Sequence, residues 1–218
     1  MALTHLSARP ARDTRALALA RTGAERGFTL IELLVVTALI VIISTVVLAD
    51  NNRFGGVVQL QNLAYNIALS IRQAQVYGIA VARFQTGSFG AGYGVHFDSS
   101  ISDTYELYAD AITQNGVYDC PQPGTNNCEL VQTTGLSRGY TIEDLCVTPA
   151  SGTESCGTPK LDIMFLRPEP DAWISSDGVS CTLDHAACAQ SARIELLSPR
   201  GDTMSVSVQA NGQISVGK

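Results

Sequence analysis

Arg26-Gly27-Phe28-Thr29-Leu30-Ile31-Glu32-Leu33-Leu34-Val35-Val36 opens the stretch on which the fold turns. From Phe28 to Ala49 there is one ionisable side chain, Glu32, and the 17 residues after it are almost pure hydrocarbon. Those 22 residues reach about 33 Å as a helix, enough to cross the apolar layer of a bilayer. Backbone groups in lipid must bond within their own segment, so the run is predicted helical despite its β-branched residues. Two ordinary fates suit it. One is a plain single-pass anchor. The other is a secretory signal cut after Ala49, where Val47-Leu48-Ala49 offers tolerated residues. The run is longer than the usual ~7–15 residue signal core, and a signal gives no reason for a carboxylate near its start. A charge there is expensive and generally functional.

The rest of the chain narrows the choice. It has 218 residues and a mass of 23.1 kDa, enough for one good core. Charged residues make up 16%, against a usual share of about 25%, and mean hydropathy is +0.14. A wholly disordered chain is excluded, since disorder goes with low hydrophobicity and high charge. Residues 1–27 carry Arg9, Arg12, Arg15, Arg21 and Arg26 against Asp13 and Glu25, a net of +3. Residues 28–218 carry nine Lys and Arg against eighteen Asp and Glu, a net of −9. A basic leader suits retention in the cytoplasm. An acidic body argues against general nucleic-acid binding.

The stretch Arg26 to Val36 closely resembles the prepilin signal of type IV pilins and type II secretion pseudopilins. In that family a membrane-embedded aspartyl peptidase cuts after the glycine, so the leader is lost and the apolar helix kept. Carried over, the resemblance makes Gly27 the residue before the cut, Phe28 the N-methylated new terminus and Glu32 the assembly carboxylate. Gly27 leaves an extended backbone open to a peptidase. Cleavage would create an amine at Phe28, one turn from Glu32. In a low-dielectric bundle, Glu32 of one subunit can neutralise that amine on a neighbour and fix their register. No proline stands near Ala49, so no proline kink is expected. Asp50-Asn-Asn-Arg-Phe-Gly-Gly56 is rich in weak helix formers and predicts a helix break at the membrane surface.

Beyond it, Leu60, Leu63, Ile67, Ile71 and Ala74 fall on one helical face. They predict a second helix over 57–83, packed on a sheet. Gly87-Ser-Phe-Gly-Ala-Gly-Tyr-Gly94 lacks the Lys-Ser/Thr ending of a phosphate loop and reads as turns between strands. Strands are predicted over Tyr93–Phe97, Tyr105–Ala109, Leu161–Arg167, Ala192–Ser198, Met204–Gln209 and Gln213–Val216, the last three as a meander. Arg200-Gly201-Asp202 spells an adhesion tripeptide, but the hairpin turn is the simpler reading. This order is similar to the H-type minor pseudopilins and FimT-like minor pilins, through Leu63–Ala82, Tyr93–Phe97 and Ala192–Val216.

Six cysteines lie beyond the apolar run: Cys120, Cys128, Cys146, Cys156, Cys181 and Cys188. Closing short loops favours Cys120–Cys128, Cys146–Cys156 and Cys181–Cys188, and disulfides imply an oxidising compartment. Zinc is disfavoured, because there is no Cys-x2-Cys and Cys181-x3-His185-x2-Cys188 lacks a fourth ligand. His5 falls in the leader, His96 in a predicted strand and His185 in a cysteine loop, and no hydrolase or metalloprotease motif accompanies them. Asp98, Asp103, Glu106 and Asp110 crowd one hairpin without the spacing of a calcium loop, so a solvated acidic face is expected.

The expected fold is therefore α+β and pilin-like: a long N-terminal hydrophobic helix, then an antiparallel β domain with a disulfide-stapled loop insertion. The expected division is a removed leader over 1–27, an assembly helix over 28–56 and an exported domain over 57–218, with 110–190 loop-rich. The resemblance implies a non-catalytic minor subunit of a type II secretion pseudopilus, or alternatively of a type IV pilus. It implies an inner-membrane location with the C-terminal domain in the periplasm. Its partners would be other pilin or pseudopilin subunits, prepilin peptidase and an inner-membrane assembly platform, with no cofactor and no metal. Nucleic acid is not an expected partner: the tail 193–218 sets Arg193, Arg200 and Lys218 against Glu195 and Asp202, a net of only +1. A secreted enzyme freed by cleavage after Ala49 is the rival from another class.

Overall fold

The computed structural model describes residues 27–80, 83, 90–112, 114–120, 128–137 and 139–218, with the side chains of 49–54 left out. The leader arginines Arg9, Arg12, Arg15, Arg21 and Arg26, and residues 87–89 of the glycine-rich stretch, lie outside the described residues. Helix α1 runs Leu30–Ile79. Ten strands follow: β1 Gly92–Asp98, β2 Thr104–Asp110, β3 Leu130–Gly135, β4 Thr141–Pro149, β5 Ser155–Cys156, β6 Lys160–Phe165, β7 Ala172–Ser176, β8 Ala189–Leu197, β9 Thr203–Gln209 and β10 Ile214–Gly217. The chain divides between Val46 and Val47 into two compact units.

In the first unit, helix starts at Leu30 and every described side chain from Phe28 to Val46 is exposed. The second unit begins in the same helix. The break expected at Asp50–Gly56 is absent, and the two helices expected from the sequence are one. Weak helix formers cost at most about 1 kcal/mol each. Extending a helix already nucleated on both sides is cheaper than starting a second.

Two antiparallel five-stranded sheets make up the β part, in the orders β3-β2-β1-β6-β7 and β10-β9-β8-β4-β5. The C-terminal meander is present as β8, β9 and β10. Residues 110–190, read from the sequence as loop-rich, hold β3 to β7, and β4 pairs along most of its length with β8. The strand expected at Leu161–Arg167 stops at Phe165, just before Pro168, which has no N–H to give a ladder. Gly92 and Gly94 lie within β1 instead of a turn. A Cβ on Gly94 would sit 2.6 Å from the Tyr108 ring, so the missing side chain is what lets that ring cross the strand.

One continuous core joins the helix to both sheets. Leu60, Leu63, Ile67, Ile71 and Ala74, the stripe read from the sequence, are all buried. Each fully buried Leu or Ile among them contributes about 1.5–3 kcal/mol. Polar contacts fix the helix along its length. The Tyr140 hydroxyl donates to the Gly56 carbonyl (3.1 Å) and Ser70 meets the Tyr105 hydroxyl (2.9 Å). Gln75 Nε2 donates to the carbonyls of Pro170 (2.9 Å) and Gly212 (3.2 Å). The three disulfides are Cys120–Cys128, Cys146–Cys156 and Cys181–Cys188, the pairs expected from loop length.

At Gly78, α1 lies directly against the backbone of β6. A Cβ there would lie 2.2 Å from the carbonyl oxygen of Phe165, a backbone atom that cannot rotate aside. Exposed helical Gly→Ala is normally stabilising by about 1 kcal/mol. Gly78→Ala should instead destabilise the protein by roughly 1–3 kcal/mol. Thermal unfolding checks this, and a raised Tm would show that the contact is not tight.

Candidate assembly site

The site expected from the sequence is Gly27, Phe28 and Glu32, and the structure places all three at the entry to α1. Gly27 is exposed, and nothing lies within 4 Å of where its Cβ would be. The local fold therefore does not require glycine at this position. Phe28 is 84% exposed.

Thr29 caps the helix, and the Leu33 amide donates to its carbonyl at 3.1 Å. Its hydroxyl accepts from the Glu32 amide (3.2 Å), while its own amide donates back to Glu32 Oε2 (3.3 Å). The hydroxyl also donates to the same carboxylate oxygen at 3.2 Å. This reciprocal pair is a capping box, which satisfies two orphan donors of the first turn. A carboxylate there also faces the positive end of the helix dipole. The structure thus brings Glu32 back over the chain immediately after Phe28. Thr29 was missed as a site residue, although the Thr-x-x-Glu spacing was readable.

Past the cap, Leu30–Leu48 is 19 residues with mean hydropathy 2.8, none of them buried. Among the described residues this is the one helix long and apolar enough to cross a membrane. Its threonines are provided for: Thr37 Oγ1 donates to the Leu34 carbonyl (3.0 Å) and Thr45 Oγ1 to that of Ile42 (2.8 Å). Each hydroxyl thereby keeps its hydrogen bond without water. A surface of this kind needs lipid or other apolar helices around it.

The other groups singled out from the sequence do not form a second site. Cys181 and Cys188 are bonded to each other, so the Cys181-His185-Cys188 set offers no thiolates, and His185 lies against Trp173 with ring centroids 5.1 Å apart. Asp144, Cys146 and Cys156 converge, but the two sulfurs form a disulfide. The solvated acidic face expected of the hairpin fails at Asp110, which is buried. Asp110 pairs with Gly92 at one end of β1, while Asp98 is at the other. Asp98 accepts from Ser100 N and Oγ (2.8 and 2.6 Å) and faces Lys160 at 3.8 Å. Burial would raise its pKa, but those bonds and the lysine hold it below the usual carboxylate value. Arg200-Gly201-Asp202 forms the β8–β9 turn, with Gly201 at φ +84° and the Ser198 hydroxyl accepting from the Arg200 and Asp202 amides. Arg193, counted in the basic tail, is bound by Glu154 and Glu195.

Residues 23–48 match the family model of the prokaryotic N-terminal methylation motif. The match covers the cap, Glu32 and the exposed apolar run. No curated protein and no solved structure matches the chain. The motif and the helix that follows it support a type IV pilin-like prepilin. They imply processing by prepilin peptidase and assembly with other pilins. They also fit a single membrane anchor followed by a C-terminal domain. The family of this motif consists of structural subunits and not of enzymes.

Removing the cap hydroxyl while keeping its shape tests the box. Thr29→Val should weaken the first turn by about 1 kcal/mol. Hydrogen exchange of the full chain in micelles should show faster exchange at the Glu32 and Leu33 amides, and Thr29→Ser should restore protection. Unchanged protection in Thr29→Val would show that the box does not hold the turn.

Proposed function

We propose that this protein is a minor, non-catalytic subunit of a type II secretion pseudopilus, of the H-like kind. Prepilin peptidase cuts after Gly27, Phe28 becomes the N-methylated terminus, and the helix beginning at Leu30 anchors the subunit in the inner membrane. The C-terminal domain then lies in the periplasm, where disulfides form. The subunit leaves the membrane for the filament by exchanging lipid for neighbouring helices along Leu30–Leu48. Glu32 sets the register by pairing with the Phe28 amine of an adjacent subunit. The observation that carries this reading is the exposed 19-residue apolar helix headed by a matched methylation motif and by one carboxylate held at its cap.

Exchange of lipid for helices explains why a carboxylate persists at the edge of so apolar a segment. In lipid the cap bonds satisfy Glu32 locally. In a bundle, the pair with a neighbouring amine favours one axial position, because a shift leaves both charges unpaired in a low-dielectric setting. The small carboxylate-free Gly27 at the cut and the unpacked backbone around it suit a peptidase that needs an extended chain.

Two substitutions separate processing from assembly. Gly27→Glu should leave the leader attached, seen as an unshifted band beside the processed wild type. Glu32→Ala should be processed normally yet be depleted at least tenfold from sheared filaments when expressed with its partner subunits. Normal processing of Gly27→Glu, or wild-type incorporation of Glu32→Ala, would overturn the roles assigned to those residues.

A further inference from the structure

β10 is the last strand of the second sheet, and among the described residues its one strand partner is β9. The Gln209 amide donates to the Gln213 carbonyl at 2.9 Å, and such bonds recur at every second pair of an antiparallel ladder. They fall next at Ser207 opposite Ser215 and at Ser205 opposite Gly217. The N–H and C=O groups of Ile214 and Val216 therefore point to the open side. Natural edges are commonly guarded by a proline, a charge or a bulge. Ile214-Ser215-Val216-Gly217 carries no proline and no charge, and its register with β9 is unbroken.

Beside that edge, a groove of about 220 Å³ runs between β10 and α1, lined by Tyr65, Ala68, Leu69, Arg72, Ile214 and Val216. Ile214, Val216 and Ala68 pack against the core. Tyr65 and Leu69 do not, being 50% and 65% exposed. An apolar helix wall thus stands next to a row of unpaired peptide groups. Arg72 is the groove's one charged side chain. Its guanidinium donates to Gln75 and, among the described residues, has no carboxylate partner.

These features select an occupant. A helix bonds its own peptide groups and leaves those of an edge unmatched, whereas an extended chain pairs with them. Alternate side chains of such a chain face one way, here toward Tyr65 and Leu69. Arg72 asks for a carboxylate among them. The groove flanks the same helix whose apolar run assembles with other pilins. A four-residue edge is too short to hold a free peptide, but a subunit already docked through its helix presents its own strands at high effective concentration.

We infer that the β10 edge and the α1 wall beside it form a second assembly site, which takes an extended, carboxylate-bearing segment of a neighbouring pilin subunit by strand addition. This rests on the assembly role proposed above and names a contact which that role does not require.

The test uses the full chain expressed with its partner subunits. Arg72→Glu should be processed normally and enter sheared filaments about tenfold less, the loss expected of one charge-assisted bond, while Arg72→Lys keeps most of the wild-type level. Val216→Pro removes an outward N–H and spares the ladder to β9, so it should be depleted likewise. Thermal unfolding in micelles should leave Arg72→Glu near the wild-type Tm, so that it decides the matter even if Val216→Pro unfolds. With p-benzoylphenylalanine in place of Leu69, light should crosslink the chain to a strand or loop peptide of another pilin subunit containing Asp or Glu. Wild-type incorporation of Arg72→Glu would overturn the inference. So would a crosslink to a neighbour's N-terminal helix or to a second copy of this chain, or none to any subunit. Wild-type incorporation of Glu32→Ala alongside loss of Arg72→Glu would instead sink the charge-pair reading and leave this site standing.

Discussion

Nineteen consecutive residues with mean hydropathy 2.8, none of them buried, constrain every other part of this protein. At about 25 cal/mol per Å² of apolar area, leaving that helix in water would cost more than the ~5–15 kcal/mol by which a domain is stable. The segment must therefore be in lipid or among helices of its own kind. A single carboxylate at its head, folded onto the cap by Thr29, is its one charged group. That pairing of a non-directional hydrophobic demand with one directional charge suits a part that moves from membrane to bundle and must stop in register.

The C-terminal unit solves a different problem. The centre of its first sheet is buried on both faces, so β1 and most of β6 are covered, while the edge strand β3 is exposed. One face meets the helix and the second sheet. The other is closed by the segment 114–120, with few large apolar side chains, and its grip comes from hydrogen bonds to the carboxylates of Asp110, Glu129 and Asp162 and from local disulfides. The cost is carboxylates taken out of water, and burial above all raises the pKa of Asp110 and of the neighbouring Tyr108.

How far the sequence disclosed this varied with the physics of each element. β8 to β10 were readable because one face of each alternates and Asn211-Gly212 marks the turn. β4 was hidden: a register shift between Ile142 and Asp144 breaks its alternation, and Pro149 ends it. β7 is a five-residue strand, too short to show a period. The helix through Gly55 and Gly56 was misjudged because local propensity was weighed without the helix on either side. At the site, Gly27, Phe28 and Glu32 stood out as a motif, whereas Asp110, Glu129 and Asp162 are unremarkable acids until folding brings them to one segment. Local cysteine pairing was legible because loop closure depends on sequence distance alone.

The account depends on keeping the apolar helix and losing only what precedes it. Intact-mass and N-terminal peptide spectrometry of the chain extracted from membranes of a cell with an active prepilin peptidase measures that directly. The account predicts a mature chain beginning with N-methylated Phe28 and carrying the whole of α1. A mature chain beginning at Asp50, with the apolar part of the helix gone, would contradict it.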